Sequence, residues 1–247
     1  MNAVLITALT LAGLLIGWGQ RPIIFRLAVP AGEPPRRACP GCGHQFAPTR
    51  RRPWPVPLPS GRCAACQART GPPSLATELS TALLLGGLAA RLHPGLVLAA
   101  AAWLAICAVP LAWIDAAVHR LPDVLTAPAY AGTTALLLLA AATSEDWHSL
   151  VRAVLGGLVL AAFYLVLALI SPSGMGIGDV KLAASLGTLL AWFGWATVAA
   201  GAVAGFLLGG LYGIVLLAAR RATRKQHIPF GPFMILGAFI VVLAGTA

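Results

Sequence analysis

The sequence predicts an all-α, polytopic membrane protein of about eight transmembrane helices, with a small zinc-ribbon-like four-cysteine insertion on the cytosolic side after the first helix. Three observations carry this expectation. Of the 247 residues 59% are hydrophobic and 10% charged, and the mean hydropathy is +0.85, far from the composition of a soluble domain. The apolar residues come in runs, at roughly 3–19, 75–92, 95–114, 124–142, 150–170, 182–199, 201–219 and 230–246. Each approaches the ~17–25 residues with which a helix crosses ~30 Å of hydrocarbon. Finally, the charges are one-sided. When the runs are threaded alternately, fifteen of the 17 Lys and Arg fall in segments 20–74, 115–123, 171–181 and 220–229, leaving Arg91 and Arg152 for the other face. The positive-inside rule then places the N-terminus outside and those segments in the cytosol. A net charge of +10 arranged this way faces lipid and cytosol, not nucleic acid.

Residues 1–19 form the first helix. Its apolar stretch, Val4–Trp18, lacks a basic start and a small-x-small cleavage site before Gln20-Arg21, and a basic flank follows, so it reads as a retained helix and not a signal peptide.

Residues 20–74 change character, with Pro, Arg, Gly and four cysteines replacing aliphatics. Cys39-Pro-Gly-Cys42 and Cys63-Ala-Ala-Cys66 are two CxxC knuckles separated by 20 residues, the spacing of a four-cysteine zinc site. A zinc ion supplies folding energy that so small a module lacks, and a reducing cytosol disfavours the alternative of disulfides. His44 reads as a surface histidine and Cys107, inside an apolar run, as a packed small residue.

Residues 75–247 hold the other seven helices. Glu78 stands at the entrance of the first of them, where it is either a carboxylate favoured by the helix dipole or part of a site shared with the zinc module; both readings stand.

Two aspartates organise the rest. Asp115 ends an apolar run, and Asp179 lies in Gly174-Met-Gly176-Ile-Gly178-Asp179-Val-Lys181, a glycine-studded turn ahead of the next run. The threading brings both to the cytosolic ends of helices. Ionised carboxylates at that depth are costly, which marks them as functional by default. Two carboxyl groups a few Å apart cannot both ionise near neutral pH, so one holds a proton while the other takes one from water. The alternatives are helix-end caps, counter-ions to Arg120 and Lys181, or the proton- or cation-coupling groups of a transporter. A zinc module anchored to serve a partner protein is a further one. Asp123, after Pro122, is expected to cap the fourth helix.

With these residues in hand, the chain resembles the bacterial type IV prepilin leader peptidases, the peptidases and N-methyltransferases of pilus and type II secretion systems. Gly176-Ile-Gly178-Asp179 with Lys181-Leu182 is similar to the family's GxGD-x-KL. Asp115 through Leu121-Pro122-Asp123 is similar to D-x(5)-[IL]PD, and Ile228-Pro-Phe-Gly231-Pro-Phe233 to the IPFGP segment that opens the last helix. The paired knuckles and a following Glu complete the longer, methylating form. The family's G-S-F-x-N reads Gly17-Trp-Gly-Gln-Arg21 here. The resemblance implies an aspartic endopeptidase with Asp115 and Asp179 as catalytic pair and Gly176, Gly178, Lys181, Pro122 and Asp123 as supporting residues. Cleavage needs no cofactor. The substrates implied are prepilins or pseudopilins, cut at the cytosolic face and then N-methylated from S-adenosylmethionine, with Glu78 the candidate carboxylate for that step.

Overall fold

The structure, a computed structural model, describes residues 3–30, 32–45, 60–171, 175–219 and 229–245. Gly174, Ile228, the Arg- and Pro-rich stretch between the knuckles and the basic segment after the seventh helix lie outside the described residues. Among the described residues the chain forms eight helices: α1 (Ala3–Leu27), α2 (Ala76–Arg91), α3 (Leu96–Val118), α4 (Asp123–Ser144), α5 (Trp147–Ile170), α6 (Ile177–Phe193), α7 (Trp195–Ala218) and α8 (Gly231–Ala244). Their order follows the eight apolar runs. Five of them, α1, α3, α4, α5 and α7, are long and apolar enough to cross a membrane. The shorter α2, α6 and α8 all begin at the end of the bundle that carries the candidate site.

The outer surface confirms a multi-pass membrane protein. Leu83, Leu169, Ile170, Leu207 and Ile214 are all more than 60% exposed, the reverse of a water-facing helix. The centre belongs to α3, whose apolar window is 61% buried against 11% for α7. Leu104, Leu111, Leu182 and Leu186 fill the space where α3 and α6 meet. Without a hydrophobic force between helices in lipid, close backbone approach substitutes. A Cβ on Gly13 or Gly17 of α1 would lie 2.5 Å from the α2 backbone at Ala82 or Glu78, and one on Gly237 of α8 would lie 2.4 Å from the α7 backbone at Gly205.

Three boundaries differ from expectation. α1 runs through Pro22 to Leu27, beyond the apolar run, because Gln20 and Arg21 are buried and find polar partners inside the protein. The break between α6 and α7 falls at Gly194, whose φ of +146° suits glycine, instead of near residue 200. The aspartate turn itself winds into α6, with Asp179 accepting a hydrogen bond from the Gly176 N–H just ahead of the helix, so the carboxylate sits in the first helical turn.

Candidate functional site

Asp115 lies in the last turn of α3 and is 4% exposed; Asp179, in the first turn of α6, is 8% exposed. The two are close enough for the Asp179 charge to act on Asp115. Each is held by one backbone donor. Gly231, the first residue of α8, gives its N–H to Asp115 Oδ2 at 3.0 Å, and Gly176 gives its N–H to Asp179 Oδ2 at 2.9 Å. Asp179 Oδ1 is buried and has no hydrogen-bond partner among the described residues. Buried polar atoms are nearly always satisfied, so this oxygen is available to a substrate or a water. The buried ring of Tyr164, stacked on Phe206 with centroids 5.7 Å apart, lies within reach of the Asp179 charge.

The flanking motif residues lock this arrangement. Gly178 lets the start of α6 abut the turn before α4: a Cβ there would fall 2.9 Å from Leu121 Cβ. Lys181 Nζ meets Asp123 Oδ1 at 2.6 Å across the same junction. Asp123 therefore does not cap α4. The cap is Pro122, whose carbonyl accepts the Leu125 and Thr126 N–H groups, while the Asp123 side chain turns outward to Lys181. The counter-ion alternative loses its partners, because Lys181 is taken and Arg120 donates to the Val29 and Pro30 carbonyls.

Glu78 belongs to a second cluster. Its oxygens accept from Arg21 Nε at 2.6 Å and Arg21 Nη2 at 2.8 Å, and from the Thr77 hydroxyl at 2.9 Å. Arg21 also donates to the Pro72 and Pro73 carbonyls, so this buried pair ties α1 and α2 to the segment leaving the module. Beside it, Gln20 bridges the Thr81 hydroxyl and the Ile106 carbonyl. The carboxylate stands in the first turn of α2 and touches the module's exit, but its oxygens are occupied.

Cys39, Cys42, Cys63 and Cys66 bring four sulfurs within 4.8 Å of one another. The knuckles repeat one turn. Gly43 N–H donates to Cys39 O and Gln67 N–H to Cys63 O, with positive φ at both Gly43 and Gln67. Bridges Ala38↔Gln45 and Arg62↔Arg69 flank them at matching positions. Sulfur separations of 3.6 Å for Cys39–Cys66 and 3.8 Å for Cys42–Cys63 are too long for a disulfide. They match the edge of about 3.8 Å around a tetrahedral ion with bonds of about 2.3 Å. The Gly41 N–H helps lower the Cys39 thiol to about 7 and the Cys66 N–H lowers Cys63. Cys42 is pushed up to about 12, where the His44 N–H pulls it down but Cys66 and the other thiols outweigh it. A cation would relieve that crowding, and the cluster can hold a metal ion. Cys107 is buried in α3, away from the four.

Sequence reasoning missed two participants. Gly231 was visible only as part of a motif opening a helix, with nothing to say which carboxylate its N–H meets. Arg21 stands in the sequence as the basic flank of the first apolar run and the last residue of the stretch matched to G-S-F-x-N, with nothing there to show that its guanidinium meets Glu78.

The model of the type IV leader peptidase family matches residues 98–217. The prepilin leader peptidase/N-methyltransferase of Pseudomonas aeruginosa is 36% identical over 221 residues, covering 85% of this chain and 72% of the relative. That of Aeromonas hydrophila is 36% identical over 219 residues, covering 86% and 73%. That of Pseudomonas putida is 30% identical over 284 residues, covering 98% and 92%. No solved structure matches the chain.

Proposed function

The chain belongs to the type IV leader peptidase family, and on that premise we propose that Asp115 and Asp179 are the carboxyl pair with which this membrane protease removes the short basic leader of prepilin or pseudopilin substrates. The observation that carries the assignment is a pair of buried carboxyl groups, near enough for the Asp179 charge to act on Asp115, with no cationic partner among the described residues and one buried oxygen, Asp179 Oδ1, left without a hydrogen bond.

The pair shares one proton and is described as a dyad. The ionised member takes a proton from a water as the water's oxygen attacks the scissile carbonyl carbon. The protonated member hydrogen-bonds the carbonyl oxygen, which accepts the charge. Return of a proton to the leaving nitrogen then breaks the C–N bond. The Gly176 and Gly231 N–H groups hold one oxygen of each carboxyl, leaving the other to face the reactants. Gly176, Gly178, Lys181, Pro122 and Asp123 keep the α6 start against the α3–α4 turn.

The charge asymmetry supports an orientation with the N-terminus outside and the dyad at the cytosolic face of the bacterial inner membrane. There a basic leader stays in the cytosol while the substrate's apolar helix remains in the lipid. The relatives' names support a second activity, N-methylation of the new N-terminus. S-adenosylmethionine, when bound, would supply an electrophilic methyl group to that amine. We divide the chain accordingly, with 1–19 an anchoring helix, 20–74 the methylation-associated module on a structural zinc held by Cys39, Cys42, Cys63 and Cys66, and 75–247 the peptidase core. Glu78, saturated by Arg21, is a positioning residue of the methylating half.

The test is leader removal by Asp115→Asn and Asp179→Asn, each folded in membranes. Each loses activity by roughly 10³-fold or more. Cleavage retained in both variants ends the peptidase assignment and returns the aspartates to a coupling or capping role.

A further inference from the structure

A cavity of about 290 Å³ lies between the module and the ends of α1 and α3. Arg36 and Arg69 bring two guanidinium groups to its wall, and neither makes an ion pair among the described residues. Thr70 is 3% exposed, and its hydroxyl is buried without a hydrogen-bond partner among the described residues, a state that buried polar atoms avoid. Among the described residues no acidic side chain lines the cavity, and the carbonyls of Pro72 and Pro73 are already taken by Arg21. The polar side chains thus offer positive charge and donors, which suits an anion with several oxygens and repels a cation such as a basic leader. Ile24, Ala28 and Trp113 make the opposite wall apolar.

Trp113 and Ala116 also line an apolar groove of about 240 Å³ between α2, α3 and α8. Its other walls include Leu84, Val109, Ile235 and Leu236, and none of its lining residues is charged. The end of α3 and the starts of α2 and α8 lie at the same end of the bundle, so the groove runs away from the module, with Val109 about 10 Å along the α3 axis from Ala116. A cationic mouth that continues into an apolar groove at hydrocarbon depth has the outline of an amphiphile. We propose that cavity and groove together hold one anionic phospholipid, its phosphodiester bound by Arg36, Arg69 and Thr70 and an acyl chain laid against α3. Trp113, common to both, stands where the chain meets the headgroup, the level that indoles favour in a membrane. Basic pockets beside membrane helices take lipid headgroups by the same chemistry. Phosphatidylglycerol fits better than a zwitterionic lipid, whose choline or ethanolamine cation would stand beside two guanidinium groups. Inorganic phosphate meets the polar end alone and leaves the groove without an occupant. The lipid would tie the module, which supplies Arg36, Arg69 and Thr70, to α1 and α3.

The experiment is native mass spectrometry of the full-length protein, delipidated in a neutral detergent and titrated with phosphatidylglycerol or with phosphatidylcholine of the same acyl chains. Inorganic phosphate and glycerol 3-phosphate serve as competitors. The variants are Arg36→Gln with Arg69→Gln, the near-isosteric Thr70→Val, and Ala112→Leu, which fills the groove, with gel filtration and circular dichroism confirming that each is folded. The parent protein binds phosphatidylglycerol roughly tenfold or more tightly than phosphatidylcholine, as charge-assisted hydrogen bonds to the phosphate require, and the arginine variant loses that preference. Thr70→Val weakens phosphatidylglycerol binding by a smaller factor, and Ala112→Leu weakens both lipids while keeping the preference. Equal affinity of the parent protein for the two lipids overturns the proposal, as does an unchanged preference in the folded arginine variant. Displacement of the lipid by inorganic phosphate or glycerol 3-phosphate at similar concentration marks a site for the free anion and also overturns it. Variants that bind both lipids as the parent does but raise KM for leader cleavage assign the cavity to the peptide substrate, with the same consequence.

Discussion

Asp115 and Gly231 stand so close that no side chain fits between them: a Cβ on residue 231 would lie 2.8 Å from the carboxylate oxygen that its own N–H binds at 3.0 Å. Gly231→Ala therefore pushes the Asp115 carboxyl or the start of α8 aside. Displacement of a catalytic group by even a fraction of an ångström misaligns it, so leader cleavage falls by roughly 10²-fold while the helical circular dichroism stays unchanged. Full activity in this variant means that the Gly231 contact does not position the dyad. The buried Arg21–Glu78 pair poses a different residue-scale question. Removing one partner strands the other charge in the interior, so Arg21→Met or Glu78→Leu costs about 3–5 kcal/mol, whereas replacing both with apolar residues recovers much of the loss. Thermal melting of the two single variants and of Arg21→Met with Glu78→Leu reads this coupling. Additive losses would show the pair to be energetically independent. The exposed Lys181–Asp123 pair has no such leverage, being worth roughly 0–1 kcal/mol.

At the scale of elements, the two knuckles are one turn used twice, and together they are too small to bury a core. Their order depends on what the four sulfurs hold. The purified protein carries about one zinc per chain by atomic absorption. Cys63→Ser loses it together with the compact, protease-resistant state of the module. Zinc uptake displaces protons from the thiols, so the apparent affinity falls as the pH is lowered. A metal-free protein whose module resists proteolysis equally well contradicts a structural zinc. The helices that meet at the dyad depend instead on glycine. Hence α6 can start against Leu121, and α8 against Asp115, only where a side chain is missing.

The whole molecule is a bundle whose apolar outside and one-sided charge make orientation the controlling variable. Cysteine introduced at Glu145, between α4 and α5, reacts with a membrane-impermeant thiol reagent added to intact cells. Cysteine introduced at Arg120 reacts only after permeabilisation. The opposite pattern puts the dyad on the outer face and removes access to a cytosolic leader. Much of this organisation was legible beforehand. The apolar runs, the knuckles and the two aspartates could be read directly, because partition into lipid and metal ligation depend on local composition and spacing. The ends of the elements were less legible, as at Leu27 and Gly194, where buried polar partners and packing set the limit instead of hydropathy. Residues decided by the sequence alone were therefore those whose environment is the bilayer or a neighbour in the chain. The tertiary structure alone decided that Arg21 saturates Glu78, 57 residues away, that Lys181 claims Asp123, 58 residues away, and that Gly231 holds Asp115 across 116 residues. The physical reason is that hydrogen bonds and ion pairs act over about 3 Å in space, and only folding determines which distant groups come that close.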